Sequence, residues 1–135
     1  MREILFRGKD FSGVINHNWC FGCLDTTEND RAIIIYSDRF GNKCRVFVDP
    51  KTVGQYTGLT DKDSTKIFEG DIVRVVYNGN EHIYQVVYDV TELDFKATNG
   101  REEYGNNFQH PTCCEEVEVI GNIYDNPELL RSDTE

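Results

Sequence analysis

Apolar residues in this chain recur at a spacing of two over short runs, and no stretch repeats them at the three-to-four spacing of an amphipathic helix. Met1 to Phe6 alternates weakly, with Ile4 and Phe6 on one side and Leu5 on the other, and predicts a first strand. Phe11-Ser12-Gly13 then turns the chain, and the runs Trp19 to Leu24, Arg31 to Tyr36 and Lys43 to Val48 predict three more strands. Asn29-Asp30 reads as a turn, and Ser37-Asp38 to Gly41-Asn42 as a hairpin-like connection. In the fourth run Cys44, Val46 and Val48 share one face and Arg45 and Phe47 the other, which predicts a half-buried strand ended by Asp49-Pro50.

The second half repeats this grammar. Asp71 to Tyr77 and Glu81 to Asp89 flank Asn78-Gly79-Asn80, a tight-turn signal because Asn and Gly tolerate positive φ. Asp94 to Thr98 is a shorter strand, 99–111 a polar loop, and Glu116 to Ile120 an alternating strand with Val117 and Val119 inward and Gly121 marking a bulge or a close backbone approach. Asn126-Pro127-Glu128 has the order of an N-cap, a first-turn proline and a dipole-complementing acid, so one helical turn through Leu130 is expected. The predicted fold is all-β, with short antiparallel strands in a small barrel or two β subdomains, 1–54 and 55–135, and an SH3-like barrel in the second.

Between the halves lies Gln55 to Asp71, read as a glycine-punctuated polar loop that enters the Asp71 to Tyr77 strand. Gly58 and Gly70 supply backbone freedom, Tyr56 and Phe68 anchor the loop on the core, and Asp61 and Lys62 are expected as exposed charges. Substitution of those two is therefore expected to leave stability nearly unchanged. Asp61, Asp63, Glu69 and Asp71 also invite a carboxylate site. A calcium loop is excluded by Lys66 where glycine is required and Ile72 where glutamate is required.

Composition narrows the function classes. A chain of 135 residues with 39% hydrophobic content can bury a core, and its start, Met1-Arg2-Glu3, leads into no apolar run suited to export or membrane insertion. A cytoplasmic setting is expected, with the five cysteines reduced. Residues 1–50 carry seven Lys/Arg and seven Asp/Glu, whereas 51–135 carry seven and seventeen, so the net charge of −10 belongs to the second part. Direct nucleic-acid binding, which is driven by neutralising phosphates, is not expected.

Cys20-Phe21-Gly22-Cys23 and Cys113-Cys114, with His17 and His110 nearby in sequence, are the candidate zinc ligands. Adjacent Cys113 and Cys114 would face opposite sides of a strand and could share one ion only in a turn; buried reduced thiols are the simpler reading, and no metal and no cofactor is expected. His82 has no nucleophile tied to it, and no catalytic residue is assigned. The many tyrosines and phenylalanines serve the core first and interfaces second.

Gln55-Tyr56-Thr57-Gly58-Leu59, Asp61-Lys62 and Ile67-Phe68-Glu69-Gly70-Asp71-Ile72-Val73 together resemble the signature of the YopX-like family of phage and prophage proteins. The likeness extends to Arg2-Glu3-Ile4-Leu5-Phe6-Arg7-Gly8, to Val48-Asp49-Pro50 with Thr52-Val53-Gly54, and to Val119 through Leu130. Where the family usually has an Asn-Gly type pair this chain has Asp63-Ser64. The resemblance implies a largely β, uncharacterised phage protein. Residues and resemblance together point to a non-enzymatic interaction or assembly module, homo-oligomeric or bound to a phage or host protein. The alternatives are an acidic mimic or modulator of a nucleic-acid-processing protein and, behind it, a metal-dependent enzyme.

Overall fold

The computed structural model describes residues 3–13, 15–25, 31–77, 79–89, 94–98 and 116–131. The Asn29-Asp30 turn, the 99–111 loop, His110, Cys113 and Cys114 fall outside them. By its contacts the chain divides into two units, Met1–Tyr56 and Thr57–Glu135.

In the first unit β1 (Phe6–Lys9), β2 (Trp19–Asp25), β3 (Ala32–Ser37), β4 (Lys43–Val48) and the start of β5 (Gly54–Thr60) lie in the order β4-β3-β2-β1-β5. The first strand lies further along the chain than alternation predicts. Phe6 to Lys9 pair with Gly22 to Trp19, and Gly8 passes so close to Val48 that a Cβ there would approach its side chain to 2.7 Å. Close approach of backbone, which only glycine permits, sets this register more firmly than the weak alternation before it. In β4 Val46 and Val48 are buried on the expected face, with Cys44 half-buried beside them, and with Cys20 of β2 and Ala32 and Ile34 of β3 they form the core. The β3–β4 hairpin is closed by Asp38, whose N–H donates to Asn42 O and whose carboxylate accepts from Phe40 and Asn42 N–H.

In the second unit the end of β5 runs beside β6 (Lys66–Phe68), and β7 (Asp71–Tyr77), β8 (Asn80–Asp89), β9 (Asp94–Thr98) and β10 (Glu116–Asn122) form a four-stranded sheet ordered β10-β7-β8-β9. The β7–β8 hairpin closes at Tyr77↔Asn80, where the sequence predicts it, and the β10 register shifts between Val119 and Gly121, the predicted bulge. Ile67, Val73, Val75, Tyr84, Val86, Ala97 and Val117 make this unit's core. A short helix, α1 (Glu128–Arg131), follows. Asn126 Oδ1 accepts from Asn122 N–H, and the Asn126 carbonyl accepts from Leu129 N–H.

Two expectations are corrected. The stretch read as a loop contains β5 and β6, because Thr57 behaves as a β-branched strand residue: it is buried and its hydroxyl donates to Ile67 O at 2.9 Å. The expected SH3-like barrel is an open sheet. Its outer strands, β9 and β10, do not pair, and β6 hydrogen-bonds elsewhere. The fold is nearly all β, with ten strands among the described residues in two open antiparallel sheets. No helix among those residues is long and apolar enough to cross a membrane.

Candidate functional site

The central stretch is the natural first candidate, and its geometry is that of a clasp. Gln55 pairs with Phe6, and Tyr56, 7% exposed, donates its N–H to Leu5 O at 2.8 Å. Gly58 takes φ +90 in β5, and Leu59 packs on the second unit's core. At the turn, Asp61 Oδ1 accepts from Asp63 N–H at 2.8 Å and Thr65 N–H at 2.9 Å, while Oδ2 accepts from Val119 N–H at 2.9 Å. The neighbouring Lys62 N–H donates to Val117 O. One carboxylate and one peptide thus occupy the free edge of β10, satisfying strand groups that would otherwise be open to pairing.

Asp61 is 8% exposed, which corrects the expectation of an exposed charge. Burial pushes its carboxyl up, but the N–H donors from Val119, Thr65 and Asp63, with Lys62 nearby, outweigh that and hold it below the usual range. Asp71, 2% exposed, accepts from Phe68 N–H at 2.7 Å. Between them Glu69 is half-buried, and Gly70, at φ +95, donates to Val86 O and accepts from Ile123 N–H. Asp61 and Asp71 therefore spend oxygens on backbone donors, the arrangement of structural carboxylates. Ser64 has φ +67, the left-handed geometry that the family's Asn-Gly pair suits.

The cysteine pair is split by strand geometry. Cys20 and Cys23 are three residues apart on β2 and face opposite sides, Cys20 buried and Cys23 exposed. Burial, then Asp10, pushes the Cys20 thiol up to about 11. Groups of three or more metal-ligating side chains are absent among the described residues.

Sequence reasoning passed over three features. Asp10 gathers the loop after β1: Oδ1 accepts from the Ser12 and Gly13 N–H groups and the Ser12 hydroxyl, and Oδ2 from the Ile15 and His17 N–H groups. Burial raises its carboxyl, and these donors, led by Ile15, lower it further than burial lifts it. The order Asp10-Phe11-Ser12-Gly13 carries the signal of a side chain bonding backbone two and three residues on. Arg74, on the outer face of the second sheet, binds Glu81 at 2.8 Å, Glu118 at 3.0 Å and Glu116, and these three carboxylates hold its guanidinium charged more firmly than usual. The cross-strand register Glu118↔Arg74 brings this cluster together, and the chain's linear order hides it.

The third is a groove of about 520 Å³ in the first unit, lined by Phe11, Arg31, Phe47 and Pro50 with Ser12, Ala32 and Val48. Phe11 is 68% and Phe47 43% exposed, and the Arg31 guanidinium stands 5.6 Å from the Phe47 ring centroid. The groove thus presents two phenylalanine rings to solvent, one of them beside a cation.

Comparison with known proteins agrees with this architecture. The crystal structure of protein EF1440 from Enterococcus faecalis is similar to the chain at 22% identity, covering 96% of this chain and 99% of that one with a TM-score of 0.55, a likeness of fold. None of the curated proteins matches. The family model described as YopX protein matches residues 6–131, and the chain belongs to the YopX family.

Proposed function

We propose that this protein is a non-enzymatic interaction or assembly module, encoded by a phage or prophage and working in the cytoplasm. The observation that carries the reading is the contrast between its polar and apolar groups. Asp10, Asp61 and Asp71 are buried on backbone donors, whereas Phe11, Phe21, Phe40 and Phe47 stand in solvent on the first unit. Exposed aromatics of this kind anchor protein partners, because a rigid ring buries area at small entropic cost. Self-association is part of the proposal.

A second reading rests on charge. Met1–Tyr56 holds eight Lys/Arg and seven Asp/Glu, and Thr57–Glu135 holds six and seventeen. With Glu81, Glu116 and Glu118 on one sheet face, the second unit could engage the basic surface of a nucleic-acid-processing protein.

The test is affinity capture of the full chain from induced or infected cells, with the molar mass of the purified protein measured alongside. The module reading expects a stoichiometric partner or a defined oligomer. A monomer that captures nothing, or one that turns over a substrate, refutes it; a basic nucleic-acid enzyme retained only at low salt supports the second reading.

A further inference from the structure

Two independent features meet along the outer side of β4. The first is backbone. Phe11 N–H donates to Phe47 O at 2.9 Å, so the Phe47 peptide faces away from β3, and the two-residue period of a ladder turns Arg45 and Lys43 the same way. β4 ends its sheet; its outer side is bridged from Phe47 to Asp49 by Lys9, Asp10 and Phe11, and among the described residues nothing hydrogen-bonds to the backbone of Lys43 or Arg45 on that side. The second is chemistry at the end of this open edge: the groove of Phe11, Phe47 and Pro50 with Arg31 beside it. Lys43 is exposed, and the Arg45 side chain is 60% exposed and pairs with Asp25 at 3.7 Å, a rim pair of small energy.

We propose that the β4 edge docks an extended acidic–aromatic peptide segment of a partner protein. Its main chain pairs with Lys43 and Arg45 as an added strand, one aromatic or branched side chain enters the Phe11–Phe47 groove, and its carboxylates face Arg31, Lys43 and Arg45. Strand addition uses this division of labour, with main-chain bonds for affinity and a side-chain pocket for specificity. Cations on an edge strand discourage indiscriminate pairing, and the same cations select an acidic strand. A nucleic acid fits less well, since the groove is mostly apolar and the chain carries −10 overall. The inference rests on the interaction-module reading and names the partner's chemistry.

The test pans the immobilised full-length chain against two pools of extended peptides of roughly eight residues. One alternates Asp/Glu with Phe, Tyr and Val; the other puts Lys in place of the acids. Enrichment from the acidic pool alone is expected. Binding of an enriched peptide should fall at least about tenfold in Phe11→Ala and in Arg31→Glu. Both residues are exposed, so the melting curves should be unchanged. Its addition should protect the Arg45 amide from hydrogen exchange. Enrichment from neither pool, binding that survives both substitutions, an Arg45 amide that stays unprotected, or retention of oligodeoxythymidine in place of peptide would each overturn the proposal. A chain that self-associates yet enriches no peptide would reject this site and leave the module reading standing.

Discussion

Replacing Asp61 with asparagine keeps the side chain's shape and removes its charge, which isolates what the carboxylate does. Asparagine can present its one oxygen to Asp63 and Thr65 N–H, but its amide then meets the Val119 N–H, donor against donor, inside a site only 8% exposed. A hydrogen bond to a charged group contributes about 1.5–3 kcal/mol, and the two that survive are weakened by loss of the charge. We expect Asp61→Asn to destabilise by about 2–4 kcal/mol, a large fraction of the roughly 5–15 kcal/mol typical of a native protein. At about 2–4 °C per kcal/mol for a chain of this size, the melting temperature should fall by roughly 4–16 °C. Guanidinium unfolding at pH 7 gives the free energy, and hydrogen exchange at the Val119 amide reports whether the clasp on β10 has opened. Lys62→Gln is the control. That side chain is exposed and 3.9 Å from Glu116, so its loss should cost under about 1 kcal/mol. An Asp61→Asn protein within about 0.5 kcal/mol of wild type, with Val119 still protected, would refute the clasp.

Other expectations follow from the same contacts. Folded-state carboxyls of Asp10 and Asp61 lie below their unfolded values, so their contribution to stability is full above about pH 4 and is lost as pH falls through the lowered values; acid titration of stability should show this, and Asp61→Asn should flatten it. Ser64→Gly relieves a φ of +67 and should stabilise by about 0.5–1 kcal/mol in the same unfolding assay, whereas no gain would argue against the left-handed turn. Gly22→Ala would bring a Cβ to 2.2 Å from Ile35 O and should cost about 1–3 kcal/mol, read as a lowered midpoint. Native-state alkylation mapped by peptide mass should label Cys23 and spare Cys20 until the protein unfolds.

Much of the fold was legible because its signals are local. Lys43–Val48, Asp71–Tyr77 and Asp94–Thr98 match their predicted bounds, since β-branched runs with turn residues at each end admit one reading. What escaped depends on distance along the chain. Asp61 reads as a turn residue, and its N–H partner on Val119 lies 58 positions away. Polar Thr57 looks like loop until Ile67 O is there to accept its hydroxyl. The barrel was inferred from strand count, which says nothing about whether β9 and β10 meet. Phe11 and Phe47 were read as ordinary turn and strand residues, because exposure is a property of the folded surface.

The claim that this chain works by binding through its first unit is tested most directly by repeating the affinity capture with wild type and Phe11→Ala, Arg31→Glu double-variant baits at equal load. The account predicts one partner or self-complex on the wild-type bait and its loss from the variant, with superimposable melting curves. Equal recovery on both baits, or activity on a substrate that neither change affects, would contradict it.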